Sequence, residues 1–318
     1  MTTQSEIIDD PNYIAVLDHG FVGLVDHMGD DTSIVQAARV SYGAGTKSVR
    51  EDRGLIRYLF RHRHTSPVEM CEIKYHVRLP IFVMRQLVRH RTASLNEYSG
   101  RYSIMTDDFY VPADSVIQPQ SSDNKQGRSG TVSDTSKGGV KWLMKAVYDT
   151  AYDVYQTLLG EKDEAKFIGQ EMPFDPYSTT LNDPLLDENF NGVARELARA
   201  VLPVGNYTEL YWKQNLHNLF HLLKLRLDPH AQYEIRVFAE AMYQLVQPIF
   251  PLACEAFEDY NREAVLLSRM EIDLMKAVLT PEVWGVFMDH HQNDPKMVAE
   301  KFGMSKRELE EFTGRFGL

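Results

Sequence analysis

The sequence predicts a mixed α/β (α+β) protein, with a central sheet, flanking helices and a largely helical C-terminal part. Three observations carry this. Cys71–Leu79 alternates apolar and polar residues without a fault, the signature of a strand with one face on the core. Long segments on either side repeat their apolar residues at helical spacing. The 318 residues are 43% hydrophobic, enough for a substantial core.

In chain order, short apolar runs from Tyr13 to Val25 flank Asp18-His19-Gly20 and predict a hairpin. Thr32 or Ser33 can cap a helix running to Arg39, with Ser41 just beyond it, and 50–62 reads as a second helix. Ser66-Pro67-Val68-Glu69 has a good N-cap, proline at the first helical position and an acid three residues after the cap, so a helix is expected to start there. After the Cys71–Leu79 strand, Pro80 opens a helix expected to reach Arg91. On it Arg85, Gln86, Arg89 and His90 share one arc, while Arg91 falls on another surface or beyond the helix end. The polar face of the strand, Glu72, Lys74, His76 and Arg78, lies in a basic region and is a candidate to face a site.

Residues 113–139, rich in Ser, Gly, Gln and Asp, read as a flexible insertion. Lys141–Leu159 is an amphipathic helix. Residues 161–190 are acidic, carry prolines and read as a second insertion. Val193–Leu202 is a short helix stopped by Pro203, and Tyr207–Trp212 a strand. Asn215–Arg226 is a helix whose polar face carries His217, His221 and Lys224. His230–Gln247 and the segment from Pro251 to Tyr260 are helical, as is most of 262–318. Within that part, 298–311 has a helix–glycine–helix form. This can read DNA, but it holds at least as many acids as bases, which favours plain packing.

Composition narrows the function. Net charge is −11, which argues against general nucleic-acid binding. No apolar run is long enough to span a membrane, and Met1–Pro11 is too polar for a secretory leader. Cys71 and Cys254 give neither a disulfide framework nor a zinc set, so a reducing cytoplasm is expected. Within this acidic chain, residues 51–101 hold ten Lys or Arg against five Asp or Glu. Such a local patch suits small anionic ligands. It is densest in Arg89-His90-Arg91-Thr92-Ala93-Ser94-Leu95-Asn96-Glu97-Tyr98-Ser99-Gly100-Arg101-Tyr102, where three arginines meet one acid. Guanidinium forks suit phosphate, and His90 can donate or titrate near neutral pH. Neither a Gly-x-Gly-x-x-Gly nor a Gly-Lys-Ser/Thr loop is present, so any nucleotide must be held by scattered side chains.

Arg89-His90-Arg91, seven residues and then Ser99 resemble the signature of the flavin-dependent thymidylate synthases. Further blocks agree in the same order: Ala38-Arg39-x-Ser41, His64-x-Ser66-Pro67-x-Glu69, Arg199-x-Val201-Leu202-Pro203 and Leu225-Arg226-x-Asp228-x-His230-Ala231-Gln232. The resemblance implies a catalytic domain over 1–261 and a helical extension over 262–318. It implies reductive methylation of dUMP to dTMP, with methylenetetrahydrofolate as carbon donor and NADPH-reduced FAD as hydride donor, in a homotetramer with shared sites. Matched position by position, it implies that Gln86, Arg89, Glu97, Ser99, Gly100, Arg101, Arg199 and Arg226 bind dUMP, Arg226 being the catalytic residue beside the uracil. Flavin contacts fall to Ser41, Ser66, Glu69, Arg89, His90, Arg91, Asn96, Glu97, Asn215, His217 and His221. The last two depart from the family pattern, which has Arg and Asn there. A metal is not expected. A competing reading is a metal-dependent nucleotide phosphohydrolase using His217, His221, His290 and His291.

Overall fold

The computed structural model describes residues 1–7, 9–40, 49–122, 125, 127–161 and 190–318, and all of their side chains except those of 49–51. Ser41 and nearly all of the 161–190 insertion lie outside the described residues. Two compact units form, Met1–Arg262 and Glu263–Leu318.

The first unit opens with a single helical turn, α1 (Gln4–Ile7). Strands β1 (Tyr13–Val16) and β2 (Gly20–Met28) then make the expected hairpin. Helices α2 (Asp31–Arg39) and α3 (Val49–Arg61) follow. Asp30, rather than Thr32 or Ser33, caps α2, accepting from the Ser33 N–H at 3.0 Å. The helix expected from Ser66 is only a 3-10 turn, Val68–Met70. The Val68 and Glu69 N–H groups bond the Thr65 carbonyl, and Thr65 Oγ1 donates to Glu69 Oε1 at 2.7 Å, while Ser66 is exposed. The chain has no room for more helix, because β3 (Glu72–Pro80) begins two residues later.

Helix α4 (Ile81–Leu87) ends four residues short of the expected Arg91, and the chain turns into an edge strand, β4 (Ser94–Glu97). β4 pairs with β5 (Tyr207–Asn215), with Ser94 opposite Lys213 and Glu97 opposite Leu210. The open edge of β5 offers backbone partners, and that tertiary pairing outweighs helical periodicity. The sheet is antiparallel throughout, in the order β1-β2-β3-β5-β4.

Between these strands α5 (Asp134–Leu158) starts inside the segment read as flexible, with Ser133 as its cap. That segment also forms a 3-10 turn, Asp114–Val116, and a bridge between Gln120 and Arg128. Its Ser and Gly content thus marks a cap and turns as well as irregular chain. The short helix α6 (Arg195–Ala198) leads to β5, and then α7 (Leu216–Arg226), α8 (Tyr233–Val246) and α9 (Pro251–Phe257) complete the unit.

One sheet face carries the core. Ile73, Tyr75, Val77 and Leu79 on β3, and Cys71 just before it, are fully buried and cluster with Trp212, Leu219, Leu223, Phe238 and Met242. The opposite face of β3 is consumed by internal pairs. His76 Nε2 lies 2.7 Å from Glu209 Oε1, Arg78 pairs with Asp108 and donates to the His19 carbonyl at 2.9 Å, and Lys74 and Glu72 meet Asp26 and Lys213. That face is no ligand site, because each of its charges already has a partner.

The second unit holds α10 (Arg269–Val278), α11 (Pro281–His290), α12 (Pro295–Lys301) and α13 (Lys306–Phe316). Val298, Ala299 and Leu309 form its small core with Trp284, Phe287 and Phe312. Gly303, at φ +67°, makes the turn between α12 and α13, in the left-handed region that glycine enters without strain. On α13, Lys306–Glu310 and Arg307–Glu311 pair along the helix, which leaves no uniformly basic face for a DNA backbone.

Candidate active site

The end of α4 and the end of α7 meet at Arg226. Its Nε donates to His90 Nε2 at 3.1 Å and its Nη2 to the Gln86 carbonyl at 3.3 Å. Among the described residues no carboxylate faces it. A half-buried guanidinium without a counter-charge is costly to hold, and burial lowers the Arg226 pKa. The arrangement is a fixed fork awaiting an anion.

His90 is tuned by the same contact. Burial, then the Arg226 charge, then His221 push its pKa down to about 4. It is therefore neutral at pH 7, instead of titrating near neutrality, and its Nε2 is the acceptor that the Arg226 N–H requires. The His221 ring is centred 6.1 Å away. His217 lies one turn earlier on the same polar face of α7. Asn215 caps α7, its side-chain oxygen accepting from the Asn218 N–H at 2.9 Å. The Leu216 N–H bonds the Cys71 carbonyl, and the Val68–Met70 turn that carries Glu69 packs on α7, the helix that Asn215 caps and that carries His217 and His221.

A second group forms after β4. Glu97 is held by Thr208, whose Oγ1 donates to Glu97 Oε1 at 2.8 Å, and Asn96 is exposed beside it on the edge strand. Ser99 then starts a tight turn, its carbonyl accepting from Tyr102 and Ser103 N–H groups at 3.1 Å. A Cβ on Gly100 would lie 3.0 Å from Met105 Sδ and 3.1 Å from Arg199 Cδ, so glycine lets the turn close against Arg199. Arg195 Nη1 donates to the Tyr102 carbonyl at 2.8 Å, and Arg101 pairs with Glu196 at 3.1 Å. That last pair is more than half exposed on both sides. Such a pair contributes little stability, and a phosphate can displace Glu196 from it.

The predicted residues thus gather into two groups, one around Arg226 and one around Gly100 and Arg199. Among the described residues, no hydrogen bond or ion pair joins the two. Arg85, Arg89 and Arg91 lie exposed, without a carboxylate among the described residues. Because α4 stops at Leu87, Arg89, His90 and Arg91 all sit in the turn and connection to β4, so the single helical arc expected to join Arg89 and His90 to Arg85 and Gln86 does not form.

The sequence reading missed three residues that support the site. Gln86 Nε2 donates to Gln232 Oε1 at 2.6 Å, Gln232 Nε2 to Glu234 Oε2 at 2.8 Å, and Arg128 Nη2 to both Glu234 oxygens at 2.7 Å. Gln232 stood in a matched block with no role assigned. An acid near the start of a helix, such as Glu234, reads as solvent-facing, and nothing in the sequence places Arg128 near it.

The phosphohydrolase reading has no support. Among the described residues, no three His, Cys, Asp or Glu side chains gather as a metal site. His290 and His291 bond carbonyls one turn back, Val286 and Phe287.

Comparison with known proteins agrees with the motifs. Residues 23–252 match the family model of the thymidylate synthase complementing protein. A flavin-dependent thymidylate synthase of Rickettsia bellii is 46% identical over 309 residues, covering 97% of this chain and 94% of that relative. One from Thermus thermophilus is 50% identical over 277 residues, covering 87% and 90%. With 97% of this chain aligned, most of the C-terminal extension read at 262–318 is shared with the Rickettsia relative. Among solved structures, the UMP/dUMP methylase PolB of Streptomyces cacaoi bound to 5-Br UMP superposes with a TM-score of 0.62 at 33% identity, covering 78% of this chain and 98% of that one. The chain belongs to the flavin-dependent thymidylate synthase family.

Proposed function

We propose that this enzyme methylates dUMP at C5 to give dTMP at the Arg226 fork. The observation that carries the reading is Arg226 itself, half-buried, oriented by the Gln86 carbonyl and neutral His90, and lacking a carboxylate among the described residues. Uracil ionising beside it supplies the missing negative charge. A guanidinium preorganised at that charge lowers the cost of forming it, and C5 gains the electron density needed to attack the one-carbon unit.

The dUMP phosphate sits on Ser99, Gly100, Arg101 and Arg199, with Gln86, Arg89 and Glu97 completing the nucleotide pocket. The family cofactor, FAD, carries two phosphates, an adenosine and an amide-rich ring. Exposed Arg89 and Arg91 fit its phosphates. Ser41, Ser66, Glu69, His90, Asn96, Glu97, Asn215, His217 and His221 offer the mixed donors and acceptors that its sugar and rings need. When bound and reduced, FAD supplies the hydride. Methylenetetrahydrofolate brings the carbon and NADPH the reducing equivalents.

The two groups come from different elements, with no hydrogen bond or ion pair between them among the described residues, which supports sites completed by neighbouring copies in a homotetramer. We place the catalytic domain in the first unit and read Glu263–Leu318 as its extension. No helix among the described residues is long and apolar enough to cross a membrane; the proposed setting is the cytoplasm. Purified protein should be yellow and form dTMP from dUMP when given methylenetetrahydrofolate and NADPH. A colourless protein that cannot be reconstituted with FAD would refute the assignment.

A further inference from the structure

The chain from Arg128 to Gln86 has a fixed polarity. An ionised carboxylate only accepts hydrogen bonds. Burial alone would raise the Glu234 carboxyl, but hydrogen bonds from Arg128 and Gln232 outweigh it and hold the group below the usual glutamate range. Glu234 is 2% exposed, and its oxygens take Arg128 Nη2, the Tyr110 hydroxyl at 3.0 Å and the Gln232 amide. Gln232 must therefore turn its NH2 to Glu234 and its carbonyl oxygen to Gln86. Gln86 in turn must donate its own NH2 to Gln232 Oε1, 2.6 Å away. The reversed amide would set two carbonyl oxygens against each other. One oxygen is left over at the site end, Gln86 Oε1, an acceptor. It lies on the residue whose backbone carbonyl holds Arg226.

We infer that Arg128, Glu234 and Gln232 are positioning residues that lock Gln86 with its carbonyl oxygen toward the nucleotide, so that Gln86 selects for an N–H or O–H donor on dUMP. This rests on the placement of Gln86 in the dUMP pocket and refines it. An accepting oxygen repels phosphate, so the partner is either the uracil N3–H or the sugar 3′-hydroxyl. The segment read as a flexible insertion thereby acquires a role, because it carries the arginine that keeps Glu234 charged in the interior. A buried carboxylate without such a partner would protonate, and a protonated Glu234 could donate to Gln232 and release the polarity of the whole chain.

The test compares the FAD-loaded wild type with Glu234→Gln, Gln232→Leu, Gln86→Ala and the Glu234→Gln/Gln86→Ala double variant, measuring dUMP affinity and steady-state KM and kcat. A single neutral hydrogen bond contributes up to about tenfold in binding, so Glu234→Gln and Gln232→Leu should each raise KM for dUMP by about that factor, with kcat within about twofold. The effect of Glu234→Gln should vanish once Gln86 is alanine. It should also vanish for the one analogue that lacks the recognised donor, 3-methyl-dUMP or 2′,3′-dideoxyuridine monophosphate. Losses that add fully in the double variant, or folded and flavin-bound single variants with unchanged KM, would overturn the relay. If Gln86→Ala itself leaves dUMP binding intact, the placement of Gln86 in the pocket is what fails. Gln232→Leu keeps the Arg128–Glu234–Tyr110 cluster, so it decides the matter even if Glu234→Gln does not fold.

Discussion

Replacing Arg226 with alanine removes the guanidinium proposed to face the uracil, which has no carboxylate partner among the described residues. Its two hydrogen bonds, to His90 Nε2 at 3.1 Å and the Gln86 carbonyl at 3.3 Å, orient the fork but do not neutralise it. One preorganised donor at a developing charge contributes about 3 to 4 kcal/mol, or about 10²- to 10³-fold in kcat. The stability cost is smaller, about 1 kcal/mol for the two acceptors left without a donor, and is offset because an uncompensated half-buried charge is also gone. Arg226→Ala should thus melt near the wild type, bind FAD and lose dTMP formation by at least two orders of magnitude, chiefly in kcat. Arg226→Lys keeps the charge without the planar fork and should fall between. An independent readout is His90, whose pKa is depressed first by burial and then by Arg226. An NMR titration should move it upward in the alanine variant. If Arg226→Ala is folded and flavin-loaded yet turns over within about threefold of wild type, a different residue activates the uracil and the argument fails.

His90 also predicts a pH effect. Its folded pKa of about 4 lies below the ordinary histidine value of 6.5, so between those values the unfolded chain binds more protons and folding weakens as pH falls. Its contribution is complete above about pH 6.5 and is lost toward pH 4; His90→Gln should flatten that limb of a melting-temperature profile, and an unchanged profile would contradict the assignment. The Cys71→Ala/Cys254→Ala double variant should still make dTMP, because burial pushes the Cys71 thiol up to about 11 and that of Cys254 higher still, so neither supplies a thiolate at neutral pH. A folded, flavin-bound double variant that makes no dTMP would reinstate a cysteine nucleophile.

What the sequence determined by itself was local. The alternation of Cys71–Leu79 fixes a strand whichever partners it finds, since an error of one residue would turn Ile73, Tyr75 and Val77 onto the polar face where His76 and Arg78 make their ion pairs. The hairpin from Tyr13, the helix ending at Arg226 and the separate helical C-terminal segment follow from patterns of the same short range. The order and spacing of Arg89-His90-Arg91, Ser99, Arg199 and Arg226 identify the family, because chemistry that needs several cations at set points leaves a trace in residue type. Tertiary structure decided what depends on partners distant in the chain. The open edge of β5 draws 94–97 into a strand, stopping α4 early and freeing Arg91 from it. His90 gives no sign in the sequence that it is neutral, since its protonation follows from burial and from Arg226, 136 residues away. Likewise Glu234 reads as an ordinary surface acid until Arg128, 106 residues distant, closes on it. Only the folded chain brings such charges together, and a charge has its meaning from the groups around it.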